Sequence, residues 1–259
     1  MRAHGKNEEV VMTSKEVGHG GPIALVGSGE FLPVMDETDL ALLEQLGGPA
    51  STRVVILPTA SGLEDLESPA RWARMGVEHF GRLGARVDAA PILTRDDALD
   101  PRWLPLLEAA NFFYFSGGNP LHLIGSMRDT PTWATIRRRH AEGAVLAGCS
   151  AGAMAMCGRT SRLRALREDG PPEWIPALGL LPRLIVLPHY DRMAGFVGQD
   201  VVDRVIKNLP EDTVLLGIEE DTALTRMNGA AWRVSGVRNV WVFTSHGGKA
   251  HGAGDVVVA

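Results

Sequence analysis

Seven short strand-like runs, mostly apolar, recur along the chain at 23–26, 53–57, 86–89, 112–115, 144–147, 184–187 and 214–218. A run of four or five apolar residues without polar alternation suits a strand covered on both faces, the condition of a parallel sheet flanked by helices. Stretches with helical spacing of apolar residues, 37–46, 69–83, 101–110, 131–142 and 197–209, lie between the runs and supply that cover. The alternation predicts an α/β fold of three layers, α/β/α, around a mostly parallel sheet. After 218 the pattern changes: β-like pieces at 222–225, 231–234 and 240–243 are split by Asn228-Gly229 and Gly236. Asn-Gly is a hairpin dipeptide, so the sheet is expected to end in an antiparallel edge. The segment "HGGKAHGAG" near the C-terminus reads as flexible. Residues 1–20 are polar, lack an apolar signal core and read as a disordered leader, with 21–259 as one domain.

In a parallel sheet the segments that follow the strands gather at one edge, where ligands bind. Here they are Gly27-Ser28-Gly29, Pro58-Thr59-Ala60, Ser116-Gly117-Gly118-Asn119, Gly148-Cys149-Ser150, Pro188-His189-Tyr190 and Glu219-Glu220-Asp221. The segment Gly148-Cys149-Ser150-Ala151-Gly152 fits G-x-S-x-G, with a strand before it and an Ala/Met helix-like run after it. In such an elbow the central residue sits in a strained strand-to-helix turn and projects above the sheet. The following helix points its N-terminus at the site and favours developing negative charge. That makes Ser150 the candidate nucleophile, and directs Cys149, one residue earlier, into packing.

A serine nucleophile needs a base, and the base needs an acid to fix its tautomer. Of the eight histidines, only His189 directly follows a buried-type strand at this edge. For the acid, Glu219, Glu220 and Asp221 follow the next strand, and extended-chain alternation sends Glu219 and Glu220 to opposite sides. Glu168 and Asp169 compete from the loop beyond the elbow helix; Asp191 is close in sequence to His189 for reaching around its ring. Oxyanion donors are the amide of Ala151 and those of Gly117 or Gly118, where missing side chains permit close approach.

Other chemistries find little support. A formal net charge of −5 gives no electrostatic footprint for nucleic acid or an anionic membrane. No apolar run reaches the length of a membrane span. Gly27-Ser28-Gly29 follows a strand, but Leu32 leaves the dinucleotide fingerprint incomplete. There is no Walker loop, no H-E-x-x-H and no C-x-x-C, so no nucleotide, metal or other cofactor is indicated. Two cysteines, Cys149 and Cys157, form no disulfide framework, which suits a reducing cytoplasm.

In order and spacing, "FSGGNP", "GCSAGAM", "LPHYDR" and "GIEEDTAL" resemble the peptidase S51 family, which includes aspartyl dipeptidase and cyanophycinase and has a class I glutamine amidotransferase-like fold. The resemblance covers roughly residues 22–245. It implies a Ser150–His189–Glu220 triad, an oxyanion loop at Gly117 and Gly118, and Asn119 beside the substrate. It implies hydrolysis of a peptide substrate next to an aspartyl residue, without a cofactor, by a homodimer. An aspartyl side chain leaving water needs a cation, and arginine holds a carboxylate best. Arg159, Arg162, Arg164 and Arg192 are candidates, with Arg192 and Arg159 favoured for proximity. The competing class is a non-catalytic or altered amidotransferase-like domain that binds a small ligand or a partner.

Overall fold

A computed structural model of the chain describes residues 20–162, 171–227, 231–244 and 247–257. The expected leader up to residue 19, and Arg164, Glu168, Asp169, Asn228, Gly229 and His246, lie outside the described residues. The strands are β1 (Ile23–Val26), β2 (Arg53–Leu57), β3 (Arg86–Ala89), β4 (Phe112–Phe115), β5 (Val145–Cys149), β6 (Arg159–Ser161), β7 (Trp174–Pro176), β8 (Leu184–Pro188), β9 (Val214–Ile218), β10 (Thr222–Arg226), β11 (Trp232–Gly236), β12 (Val240–Thr244), β13 (Gly247–His251) and β14 (Val256–Val257).

The main sheet has the order β14-β11-β10-β1-β5-β4-β2-β3. Its half from β1 to β3 is parallel, and β10, β11 and β14 extend it antiparallel. Successive residues of a strand point to opposite faces, and in the central strands β1, β4 and β5 both faces are dry. In β4, Phe113 and Phe115 enter one apolar cluster while Phe112 and Tyr114 enter another. Helices Asp36–Glu44 and Ser68–Arg82 cover the second face through Leu42, Leu43 and Phe80. Helices Leu104–Ala109, Pro120–Met127 and Pro131–Ala141 cover the first through Leu107, Leu123, Ile124, Met127, Trp133 and Ile136. The three expected layers are present.

The runs at 184–187 and 214–218 do not join that sheet. They pair in parallel as β8 and β9 in a second sheet of order β13-β12-β9-β8. Beyond β9 the chain switches between these two sheets three times, from β9 to β10, from β11 to β12 and from β13 to β14, so one strand of each pair lies in each sheet. Leu184, Val186, Val214 and Leu216 share the apolar cluster of the first face, and Ile185, Leu187 and Leu215 pack outward against Val201, Val202 and Val205 of helix Gln199–Lys207. Between the two sheets runs helix Ala151–Met156, every residue of it buried. A helix buried on all sides must be apolar all round, which accounts for its Ala/Met composition.

The segment expected to be flexible near the C-terminus instead forms β13, paired with β12 from Thr244↔Gly247 to Val240↔His251. Its glycines and polar residues carry no strand pattern; the pairing rests on backbone hydrogen bonds to an apolar partner strand. Among the described residues no helix is long and apolar enough to cross a membrane.

Candidate active site

Ser150 stands between the end of β5 and the start of helix Ala151–Met156, at φ 50° and ψ −109°. This is a costly conformation for a residue with a side chain, on the order of 1–3 kcal/mol. The turn closes because its flanks are glycine. A Cβ on Gly148 would lie 2.6 Å from the carbonyl carbon of Gly152, and one on Gly152 would lie 2.4 Å from the Phe115 carbonyl oxygen. Ser150 N–H donates to the Val26 carbonyl at 2.9 Å, pinning the elbow to β1.

His189 follows the last residue of β8 in a left-handed conformation, φ 50° and ψ 38°. Its Nε2 lies 3.1 Å from Ser150 Oγ, and its Nδ1 lies 3.0 Å from Glu220 Oε1. A carboxylate only accepts, so the Nδ1 proton is donated to Glu220 and the Nε2 lone pair faces the serine hydroxyl. Two sheets thus deliver the line: Ser150 from the main one, His189 and Glu220 from the second. Glu220 is positioned from two sides. Its backbone N–H donates to Asp191 Oδ1 at 2.9 Å, and its Oε2 meets Arg192 Nε at 2.8 Å. Asp191 is paired in turn with Arg238 at 3.2 Å.

Glu219 faces away, as strand alternation requires: its carboxylate accepts from Asn239 N–H at 3.0 Å and Trp241 Nε1–H at 2.9 Å. Asp191 does not reach the imidazole; it holds the Glu220 backbone. Cys149 is buried and donates its S–H to Glu30 Oε2 at 2.8 Å. Burial, reinforced by the Glu30 carboxylate, pushes the Cys149 thiol well above its ordinary pKa, so it remains a thiol.

The remaining candidates separate. Ala151 N–H opens its helix, where no intrahelical acceptor exists. Gly117 N–H is already committed, donating to Glu30 Oε1 at 3.0 Å. Gly118 is exposed in the adjoining turn. Asn119, expected beside the substrate, caps helix Pro120–Met127: its side-chain oxygen accepts from Leu121 and His122 N–H at 3.0 and 3.1 Å. Arg159, also expected near the site, sits on β6 opposite Pro176. Its neighbour Gly158 donates to the Leu184 carbonyl, so Arg159 lies at the start of β8 whereas His189 follows its end. The length of the elbow helix carries Arg159 away from Ser150. Arg162 is exposed, 3.8 Å from Glu173. Arg192 is at the site, but its Nε engages Glu220.

Three features of this edge were not foreseen: Glu30, the Asp191–Arg238 pair, and Phe196, whose ring is 6.3 Å from that of His189. Glu30 carried a usable signal, since it follows Gly-Ser-Gly at a strand end on the active edge. A reading of that loop as a nucleotide fingerprint passes over it. Phe196 lies on helix Tyr190–Val197, which precedes the amphipathic stretch read at 197–209 and is separated from the helix Gln199–Lys207 by Gly198, at φ 102°.

Fold and site together define an α/β protein with a serine at a strand-to-helix elbow, facing a histidine–carboxylate pair from a second sheet. The chain belongs to peptidase family S51, whose model matches residues 23–234. A cyanophycinase of Trichormus variabilis is 30% identical over 183 residues, 68% of this chain and 57% of that protein. The match thus spans little more than half that relative's length. A cyanophycinase of Synechococcus elongatus is 27% identical over 239 residues, 89% of this chain and 70% of the relative. The crystal structure of a peptidase from an acI-B1 actinobacterium superposes with a TM-score of 0.84 at 31% identity, covering 93% of this chain and 98% of the other.

Proposed function

We propose that the chain is a serine peptidase that hydrolyses peptide bonds next to aspartyl residues, with Ser150 as nucleophile, His189 as base and Glu220 as the acid that orients it. The observation that carries this reading is the unbroken line from Ser150 Oγ to His189 Nε2, 3.1 Å, and from His189 Nδ1 to Glu220, 3.0 Å. Ser150 Oγ attacks the scissile carbonyl while Nε2 takes its proton, and Glu220 stabilises the imidazolium. The tetrahedral oxyanion meets Ala151 N–H and an amide of the Gly-Gly loop. Collapse breaks the C–N bond and His189 returns the proton to the leaving amine; water, deprotonated by His189, then attacks the acyl carbon, the acyl–Oγ bond breaks, and His189 returns that proton to Ser150 Oγ. The aspartyl preference rests on the cyanophycinase relatives and on Arg192. With its Nε on Glu220, that half-exposed guanidinium has further N–H donors for a substrate carboxylate.

The test pairs Ser150→Ala with Cys149→Ser. Purified variants are assayed on Asp-X dipeptides, isoaspartyl peptides and cyanophycin, and labelled with a fluorophosphonate. Ser150→Ala is expected to lower turnover on the order of 10⁶-fold and abolish labelling, while Cys149→Ser retains most of both. Equal loss in the two variants sinks the assignment. Wild-type protein that neither labels nor turns over any of these substrates favours the ligand-binding alternative.

A further inference from the structure

We propose that Glu30 is the positioning residue of the oxyanion site, holding the Gly-Gly loop so that Gly118 N–H, and not Gly117 N–H, joins Ala151 N–H in meeting the oxyanion. This rests on the serine peptidase reading above.

Glu30 is 5% exposed, a burial that an acidic side chain tolerates only when its oxygens are met by donors. Both are. Oε1 accepts Gly117 N–H at 3.0 Å, and Oε2 accepts Cys149 S–H at 2.8 Å. Those donors come from the ends of β4 and β5, and Glu30 itself follows β1. The three strands are neighbours in the order β1-β5-β4, so one side chain ties together the strand ends that surround Ser150.

The backbone is bent to bring it there. Gly29 has φ 83° and Phe31 has φ 65°, leaving Glu30 between two left-handed residues. Phe31 is no glycine, and its conformation costs on the order of 1–3 kcal/mol. Its ring is buried 4.8 Å from that of Tyr114, which anchors the bend in the core. The same loop abuts the Glu220 corner, since a Cβ on Gly29 would lie 2.3 Å from Asp221 Oδ1.

The consequence for catalysis lies in the amides of the Gly-Gly loop. Gly117 N–H is directed into the protein, to Glu30. Asn119 N–H is likewise directed inward, to the Ala60 carbonyl at 2.7 Å. Gly118 lies between them, exposed, at φ 138°. With its neighbours fixed on either side, its amide is the one the loop leaves for a ligand. A donor fixed before the reaction stabilises an oxyanion without reorganisation, and that fixing is what Glu30 supplies.

The test uses the full chain with Glu30→Ala and Glu30→Gln, each counted by fluorophosphonate active-site titration so that misfolded protein drops out. Per titrated site, Glu30→Ala is expected to lower kcat about 10- to 100-fold with KM little changed, the scale of a small misplacement at a reacting centre. Affinity for a peptide aldehyde, which forms a tetrahedral adduct on the serine, falls by the same factor, whereas affinity for the hydrolysed product does not. Glu30→Gln, whose carbonyl still accepts from Gly117 N–H, recovers part of the loss. An arm independent of activity follows the Cys149 S–H stretch in the infrared, with Cys157 as internal reference, and the Gly117 amide resonance; both shift in Glu30→Ala. Titrated Glu30→Ala sites that turn over at the wild-type rate overturn the proposal, as does an unchanged S–H band and amide signal, or a loss shared equally by product binding. A wild-type chain that neither labels nor hydrolyses overturns the peptidase reading and this one with it, and is distinguished because no Glu30 variant is needed to see it.

Discussion

Two histidine–carboxylate pairs are built into this molecule with nearly the same geometry. His79 Nε2 lies 2.7 Å from Asp39 Oδ2, and His189 Nδ1 lies 3.0 Å from Glu220 Oε1. Each has an arginine beside it: Arg82 makes two bonds to Asp36, whose Oδ1 is 3.8 Å from His79 Nδ1, and Arg192 meets Glu220. The difference is what the second ring nitrogen finds. Arg82 NH2 donates to His79 Nδ1 at 3.3 Å, so that lone pair is spent inside the protein. The corresponding lone pair of His189 faces the hydroxyl of Ser150. His79 and Asp39 are 3% and 2% exposed and tie helix Asp36–Glu44 to helix Ser68–Arg82; the side chain of His189 is 30% exposed. A histidine held by a carboxylate is therefore a structural joint or a candidate base, and its outer nitrogen and its access to solvent distinguish the two.

Breaking each pair should separate the two roles. Glu220→Gln is expected to lower kcat/KM on the order of 10⁴-fold, because the amide no longer favours the Nδ1–H tautomer, and to leave the urea midpoint close to wild type. Asp39→Ala should do the reverse. It strands a buried imidazole and should cost on the order of 3 kcal/mol of stability, while active sites titrated in the folded fraction keep near-wild-type kcat. Burial pushes the Asp39 carboxyl above its ordinary pKa, opposed by the His79 bond, so this pair already carries a desolvation cost and is sensitive to losing a member. If Glu220→Gln lost mainly stability, or Asp39→Ala lost mainly per-site activity, the division between joint and site would be wrong.

The two arginines singled out for the substrate carboxylate give the next contrast. Arg192→Ala removes an ion pair with Glu220 that is 60% exposed on the arginine side. An exposed pair is worth at most about 1 kcal/mol, or about fivefold in rate. A loss of about 10- to 30-fold on Asp-X substrates, with fluorophosphonate labelling reduced by no more than that fivefold, is the expected signature of a further contact to substrate. Arg159→Ala should change either readout less than about twofold, since β6 places it beyond the far end of the elbow helix. Comparable effects from both arginines, or cleavage of Asn-X as fast as Asp-X, would remove the arginine clamp.

The main sheet and the meeting of Ser150, His189 and Glu220 were legible because double-sided burial writes continuous apolar runs, and because strand ends collect in space. Ser150, His189 and Glu220 all follow such runs. The assignment of β8 and β9 to a second sheet was not legible: their apolar runs look the same whichever neighbour they pair with, and the outcome depends on the corners into β10 and β12. Asn119 shows two signals in competition. Asn followed by Pro at the start of an apolar stretch is a helix-cap pattern, and the side-chain oxygen makes that cap, while the substrate role that the family motif implies would fall to the Nδ2 amide. Arg159 was misplaced because proximity in sequence was taken for proximity in space, across a rigid helix. Glu30 and Arg192 mark a further limit. Sequence offers them as charges, while their partners, Gly117 N–H and Cys149 S–H for one and the Glu220 carboxylate for the other, come from remote strand ends.

A third histidine sharpens the comparison with the smallest expected effect. His140 is 4% exposed like His79, but its Nδ1 faces a carbonyl, that of Ala144 at 2.9 Å, where the other two face carboxylates. A carbonyl stabilises the imidazolium less than a carboxylate does. Burial therefore dominates and lowers the His140 pKa below 6.5; the Ala144 bond opposes this, and Arg226 adds to it. The unfolded chain then takes up a proton at His140 at higher pH than the folded chain. The stability this site contributes is present above about 6.5 and is lost as pH falls through the depressed folded value. The slope from one such group cannot exceed about 1.4 kcal/mol per pH unit. Urea unfolding at pH 7.5, 6.5 and 5.5 should show wild-type stability falling faster than that of His140→Asn, whatever the variant's absolute stability, because all other groups titrate in both. Equal slopes would mean that His140 charges in the folded state as readily as in the unfolded one, and that burial does not govern its titration.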